Sequence, residues 1–521
     1  MFKKSSNFYI LLFAAVFIMV SDVVVMKNKV LFGGDEIISY LCATGNSVAY
    51  ESVLNQQYPY GELVDASEYK NFLTIHQPYC FKKIASDLCA NDMHPPLYYW
   101  MLHLFVLQFG VNIYTGILLN LLLQLFTLFF VFKLALHFLI DEHKAVIASF
   151  IWAISPACFG VSMNARPYEL LALVTVIYLF LFFRWINKQS KFNILMLVFI
   201  GVAGMLTHYS FMYVLAACVA FAIFKIKEIA FRNVAVITVA AVVSFELMTI
   251  IHPCYFDSFL IQQQRKQEFL FNEIPFRVLK IMLSLIQFVI PVFSAKSLLM
   301  KINSQLINLL LALFMGVSGM LIILFRKQLF RKMTYPKLVP VTWQMLSILA
   351  AMIFLPYLLF ITPVHAIGEQ YLVYLYPLMA IVLVQVNLSF SKQIKIAILL
   401  VMFLGSCSSL FLTVSANNYQ YAAMIEKVET HNVIETNMLD RRAFPRFIPY
   451  LKSGQKILID ENFANRNDSL SINIFKQNKV LMIYGKEDKI YEDKFGVKEQ
   501  FRYDTGDGII FFVKQGKRLL Y

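Results

Sequence analysis

Apolar runs, most of them about 18 residues or longer, recur along this chain, and each is long enough to approach or cross a hydrocarbon core about 30 Å thick. Lipid offers no water to satisfy a backbone, so such runs are confined to hydrogen-bonded helices. They fall at about 8–26, 112–138, 145–162, 168–186, 192–207, 209–225, 233–251, 304–325, 342–361, 371–388 and 396–415. The expectation is a polytopic α-helical membrane protein with about eleven transmembrane helices. Only 15% of the residues are charged, against about 25% in soluble domains.

Charge sets the expected orientation. Lys3 and Lys4, Lys144, Arg184, Lys188 and Lys191, the basic residues of 225–232 and 326–337, and Lys392 and Lys395 all fall on one side. The short loops of the other side hold only Arg166. By the positive-inside rule the N-terminus is cytoplasmic. Lys27 and Lys29 run against the pattern, in a long loop where charge counts for less. The net charge of +14 is explained by cytoplasmic loops; no nucleic-acid motif accompanies it. The first twenty residues read as a retained helix, because no convincing cleavage site follows their apolar run.

Residues 27–93 form a long polar loop outside the cytoplasm. The segment 95–110, opened by Pro95 and Pro96, is too short for a span and reads as an interfacial helix. The stretch 278–300 either lies flat or re-enters. From residue 416 the character changes: 31 of the last 106 residues are charged. "QYAAMIEKVETH" reads as helix, "KILID" and "KVLMIYG" as strands, and "FRYDTGDGIIFFVKQG" as a hairpin turning at Asp504–Gly508. Domains are therefore expected at 1–415 and at 416–521, the second a small extracytoplasmic α/β domain. Of the seven cysteines, Cys80 and Cys89 share the first loop and are either a disulfide or two thiols.

The unusual polar residues gather at the outer interface. Asp35 and Glu36 follow the first span, Asp92 and His94 precede the proline pair, and Arg166 stands in a tiny loop before Tyr168. His208 and Tyr209 break two apolar runs, and His365, Glu369 and Gln370 precede a late span. Ionisable groups near lipid are costly and mark function. A carboxylate such as Asp35 can take a proton from a hydroxyl. An arginine such as Arg166 can grip a phosphate through two N–H groups. His94 and His208 are candidate ligands for a divalent metal, though no spacing demands one. Tyr98, Tyr99 and Trp100 suit anchoring in the headgroups. An acid, a cation and a bilayer to carry a lipid tail together suggest sugar transfer from a polyprenyl phosphate.

These residues carry a resemblance. "DE" at 35–36, "HPPLYYWMLHLFVLQFG" at 94–110, "SPACFGVSMNARPYEL" at 155–170, "THYSFMYVL" at 207–215 and "EQYLVYLYPLMA" at 369–380 resemble landmarks of the GT-C superfamily of integral-membrane glycosyltransferases. The similar branch is the protein O-mannosyltransferase-like and RgtA/B/C/D-like one. Gln370 stands where that family usually has arginine, which moves the phosphate role to Arg166 or a loop cation. The resemblance implies a polyprenyl-phosphate sugar donor, an inverting displacement and a site at the outer membrane face. It implies Asp35 as general base with Glu36 supporting it, and Asp35 facing Arg166 across one cavity. It implies contacts to the donor phosphate or sugar from His94 and Arg166 and a cavity lined by His208 and Tyr209, with Asp92, Tyr168, Glu369 and Gln370 as further substrate-binding candidates. A metal is left open, as some relatives use one.

Three other readings compete: a flippase or transporter for a lipid-linked glycan, a ligase or polymerase using a diphosphate lipid, and a noncatalytic assembly protein. No repeat and few midplane charges argue for a transporter. The sequence names neither the sugar nor the acceptor, which is a glycan, a lipid or a protein. The compact tail leans towards a bacterial inner membrane.

Overall fold

The computed structural model describes residues 2–55, 62–91, 94–257, 372–387, 392–436 and 444–459, the strand segments 480–483, 501–504 and 510–513, and a few positions between 281 and 352. The helices in chain order are α1 (Phe2–Asn28), α2 (Gly34–Ala43), α3 (Ser47–Leu54), α4 (Ala66–Lys70), α5 (Phe81–Asn91), α6 (Leu97–Phe109), α7 (Ile113–Leu139), α8 (Glu142–Ala153), α9 (Pro156–Ser162), α10 (Tyr168–Asn187), α11 (Lys191–Met205), α12 (Phe211–Phe224), α13 (Ile226–Ile229), α14 (Phe231–Ile251), α15 (Tyr376–Asn387) and α16 (Lys392–Thr430). The strands are β1 (Leu63–Asp65), β2 (Val433–Thr436), β3 (Lys456–Ile459), β4 (Val480–Ile483), β5 (Phe501–Asp504) and β6 (Ile510–Val513). The chain divides into two compact units. One is built from 1–21, 121–162 and 168–411, the other from 22–120, 163–167 and 412–521.

The first unit is the helical bundle. Among the described residues, α1, α7, α10 and α14 are long and apolar enough to cross a membrane, as the hydropathy pattern predicts. The span expected at 145–162 is two helices, α8 and α9, bent at Ile154–Ser155 ahead of Pro156. Proline cannot donate to the preceding turn, so the ladder breaks there. Ser406 Oγ donates to the Ile154 carbonyl at 2.5 Å, and Ser155 Oγ to that of Phe288 at 2.8 Å. The Ile154 carbonyl at the break is thus satisfied from within the protein, as a membrane interior requires. The spans expected at 192–207 and 209–225 are shorter, at 15 and 14 residues. That is roughly 21–23 Å each at 1.5 Å per residue, joined at "LTHYS". The spans expected at 304–325 and 342–361, and the stretch 278–300 for the most part, lie outside the described residues.

Within this bundle α10 is central and α14 peripheral: 78% of the apolar window of α10 is buried against 28% for α14. Helix α11 packs on both. Close approach to α14 rests on Gly201, where an added Cβ would lie 2.4 Å from Ser244 Oγ and 2.8 Å from Ser244 Cβ. Small residues at helix crossings serve this purpose in membranes.

The second unit holds a four-stranded sheet in the order β1-β3-β2-β4. Strands β2, β3 and β4 are parallel, and β1 runs antiparallel to β3 with Leu63 opposite Leu458 and Asp65 opposite Lys456. Strands β5 and β6 form the expected hairpin, Phe501 opposite Val513; its turn lies outside the described residues. The expected boundary at residue 416 falls inside α16, one continuous helix of 39 residues. The tail also takes its edge strand from the first loop, so its sheet is not self-contained. Lys456 and Asp65 tie that edge at 3.2 Å. Hydrogen bonds from the Ser67 amide and hydroxyl, and then from Lys456, pull the Asp65 carboxyl down to about 2. Under α2, the side chains of Ile38, Cys42, Cys80, Ile84, Leu88 and Tyr99 make a buried apolar cluster. Cys80 is a free thiol within it, so the Cys80–Cys89 disulfide is not formed.

Replacing Gly201 with alanine forces α11 and α14 apart. A loss of about 1–3 kcal/mol is expected from such overpacking, read as a lower thermal midpoint in detergent, whereas an equivalent change at exposed Phe199 of α11 leaves the midpoint in place.

Candidate active site

Helix α2 begins where the chain leaves α1. Gly33 is its N-cap, and Asp35 and Glu36 occupy the first turn, where the positive end of the helix favours negative charge. Successive residues on a helix diverge by about 100°, so the two acids have different fates. Asp35 is exposed and Glu36 is buried. The Glu36 carboxylate reaches back to accept the Gly33 amide at 2.9 Å, one half of a capping box. The same oxygen meets Lys29 Nζ at 2.5 Å. Its other oxygen accepts the Ala165 amide at 3.2 Å.

Lys29 completes the clamp. Its ammonium also donates to the Met163 carbonyl at 2.7 Å and to Asn164 Oδ1 at 3.3 Å. Residues 163–167 are thereby fastened to the start of α2 by one buried ion pair and its hydrogen bonds. A second set of bonds holds the same loop from below: Asn120 Nδ2 donates to the Asn164 carbonyl at 2.7 Å, and Tyr98 OH donates to Asn120 Oδ1 at 3.1 Å. Gly116 lets α7 come close, since a Cβ there would lie 2.3 Å from Ala165 Cβ. Tyr40 OH accepts the Gly116 amide at 2.7 Å and donates to the Asn112 carbonyl at 2.8 Å. Burial, and then the charge of Glu36, raise its phenol well above the ordinary value.

The loop presents Arg166, which is buried. One guanidinium nitrogen donates to the main-chain carbonyl of Asp35 at 3.1 Å and to Ser39 Oγ at 3.3 Å; the other meets His94 Nε2 at 3.3 Å. A guanidinium has no acceptor, so His94 Nε2 accepts and the ring carries its proton on Nδ1. Arg166 and Asp35 are thus brought to the same turn of α2. Arg166 lies along α2 at the backbone of Asp35, because Ser39 stands one turn further on the same face. His94 ends the stretch before Pro95 and Pro96, and α6 starts at Leu97 behind them.

The aromatics after the prolines are not headgroup anchors. Tyr98 and Tyr99 are fully buried, and Trp100 Nε1 donates to the Phe81 carbonyl at 2.9 Å. The Tyr98 hydroxyl and the Trp100 indole find their partners inside the protein, where an unpaired one would be costly. Tyr168, His208 and Tyr209 belong to the helical unit. There the Tyr168 and His208 rings lie 5.6 Å apart, Tyr209 packs edge-on to Tyr255 at 4.6 Å, and His208 Nδ1 accepts the Ser210 amide at 3.1 Å. Asp92, Glu369 and Gln370 lie outside the described residues. As metal ligands, His94 and His208 are a poor fit: the bonds above occupy one ring nitrogen of each. Among the described residues neither belongs to a group of three possible ligand atoms. Lys29, Asn164, Ser39 and Asn120 are site residues that sequence reasoning passed over. Lys29 had a signal, as the cation that broke the charge asymmetry.

Removing one member of a buried ion pair strands the other. Lys29→Met is expected to cost about 3–5 kcal/mol, read as thermal stability in nanodiscs, and the double variant Lys29→Met/Glu36→Gln to recover much of it. Equal losses in the single and double variants would contradict the clamp.

Comparison with known proteins bears on this geometry. Residues 93–253 match the family Dolichyl-phosphate-mannose-protein mannosyltransferase, a stretch that contains His94, Arg166, Tyr168, His208 and Tyr209. No curated protein matches the chain significantly. Among solved structures the chain is similar to ArnT from Cupriavidus metallidurans bound to undecaprenyl phosphate, at 12% identity and a TM-score of 0.51, over 96% of this chain and 97% of that one. The apo state of ArnT aligns at 13% identity and 0.44, over 98% of both chains. The archaeal oligosaccharyltransferase AglB from Archaeoglobus fulgidus, in complex with an inhibitory peptide and a dolichol-phosphate, aligns at 13% and 0.47, over 93% of this chain and 70% of that one. A polytopic helical membrane protein whose fold resembles that of ArnT, this chain matches a GT-C glycosyltransferase family, that of the dolichyl-phosphate-mannose-protein mannosyltransferases, through residues 93–253.

Proposed function

We propose that the protein moves a sugar from a polyprenyl-phosphate donor to an extracytoplasmic hydroxyl by a single inverting displacement, with Asp35 as the general base. The observation that carries this reading is an exposed carboxylate on the first turn of α2 with the buried Arg166, hydrogen-bonded to half-buried His94, held against the same turn. The reaction needs a base for the acceptor hydroxyl and a cation for the phosphate that leaves. Asp35 at the open end of α2 meets the first need. Arg166 meets the second, because its planar fork suits two phosphate oxygens and its orientation is set in advance by Ser39, His94 and the Asp35 carbonyl. ArnT, whose fold the chain shares, was solved with undecaprenyl phosphate, which supports a lipid monophosphate as the carrier.

In this mechanism Asp35 takes the acceptor proton as the hydroxyl oxygen attacks the anomeric carbon. The bond to the phosphate oxygen breaks on the opposite face, and the lipid phosphate keeps the electron pair beside Arg166. The Lys29–Glu36 clamp does no proton transfer. It keeps the cation and the base in register, so Glu36 supports Asp35 by position. The site faces outward, with the N-terminus in the cytoplasm and the tail on the outer side, in keeping with the charge asymmetry of the short loops. Asp92, Tyr168, His208, Tyr209, Glu369 and Gln370 are proposed to complete the donor and acceptor contacts.

Purified protein in nanodiscs, given a panel of radiolabelled polyprenyl-phosphate sugars and an envelope acceptor fraction, is expected to transfer one of them. Asp35→Asn should lower kcat about 100- to 10,000-fold while eluting as folded protein. Equal transfer by wild type and variant would remove Asp35 as base; transfer only from diphosphate lipids would replace the donor class.

A further inference from the structure

The linker between α1 and α2 runs from Lys29 to Gly33 and ends two residues before Asp35. Its two ends are held by Glu36. Its middle is held from the far end of the chain. Arg446 Nε donates to the Phe32 carbonyl at 2.6 Å, and Tyr450 OH donates to the Val30 carbonyl. Both donors sit on short 3-10 turns, Phe444–Arg446 and Ile448–Tyr450, more than 400 residues away in sequence. Phe32 is buried between the same elements, edge-on to Tyr40 at 5.3 Å and tilted against Tyr450 at 6.5 Å. Phe444 packs edge-on to Tyr69 of the first loop at 5.4 Å. Arg446 is buried as well. Burial, followed by the charge of Glu36, pushes the Tyr450 phenol up from its ordinary value, so it stays a donor.

A linker this short has no secondary structure to occupy its carbonyls, and buried carbonyls need donors. The tail supplies them at alternate residues, 30 and 32, which fixes both the path and the pitch of the backbone into α2. The geometry points to Arg446 and Tyr450 as positioning residues, through which the C-terminal tail sets where Asp35 stands. This rests on the reading of Asp35 as the base. Slack at Val30–Phe32 moves the first turn of α2 as a body and takes Asp35 with it. A displacement of about 1 Å at a reacting group can cost about 100-fold in rate. The tail is thus part of the catalytic apparatus.

The test uses the full chain in nanodiscs with Tyr450→Phe and Arg446→Lys, and with Lys456→Ala as a control that cuts the surface tie to Asp65. Three kinds of measurement are made: transfer kinetics (kcat and donor KM), thermal midpoint, and hydrogen exchange of the peptide covering 29–36. Both positioning variants should lose about tenfold in kcat, hold KM within about twofold, remain folded with at most a modest fall in midpoint and exchange faster at 29–36; Lys456→Ala should match wild type in all three. Unchanged kcat, or a kcat loss that follows a lowered midpoint with exchange at 29–36 unaltered, overturns the proposal. A wild-type chain that transfers nothing, with exchange still faster in the variants, overturns the catalytic purpose and shows that the underlying reading of Asp35 has failed while the tie itself stands.

Discussion

A lysine and a glutamate seven residues apart, both withdrawn from water, hold this site together. Burying two charges is costly, and their attraction offsets the cost only where hydrogen bonds satisfy what remains. Here they do: Lys29 reaches Met163 and Asn164, and Glu36 takes the amides of Gly33 and Ala165. The pair therefore joins the end of α1, the start of α2 and the loop before α10. Arg166 is placed because Ala165 and Asn164 are placed. Asp35 stays exposed because its neighbour turns inward.

The same logic extends outward in layers. Asn120 and Tyr98 support the loop from α7 and α6, and Tyr40 bridges α2 to the turn before α7. The tail grips the linker at Val30 and Phe32 and completes its own sheet with a strand borrowed from the first loop. Each layer satisfies backbone groups that would otherwise be buried without partners. The polar interior of this unit is thus a connected network, and such networks orient side chains more sharply than apolar packing does.

Much of this was legible in the sequence, for identifiable reasons. Length of apolar run is a one-dimensional property, so α1, α7, α10 and α14 stood out. Short β-prone apolar runs bounded by polar residues marked β3, β4 and the β5–β6 hairpin. Strand β1 did not stand out, being three residues long and paired with a strand almost 400 residues away, and β2 was hidden because it follows directly on the helical pattern of α16. Asp35, His94 and Arg166 were conspicuous as polar residues among apolar ones, whereas Arg446 and Tyr450 sit in a tail rich in charge, where nothing distinguishes a positioning residue from a solvated one. Tyr98 and Tyr99 were misread because an interfacial aromatic and a buried one look alike until the hydroxyl's partner is known.

Arg166 and Asp35 are proposed to serve opposite sides of one displacement. A cryo-EM structure of the protein in nanodiscs with its polyprenyl-phosphate sugar and Asp35→Asn in place tests it directly. Phosphate oxygens are expected within hydrogen-bonding distance of the Arg166 guanidinium, and residue 35 on the face of the sugar opposite that phosphate. A phosphate bound away from Arg166, or a sugar whose open face looks away from α2, would contradict it.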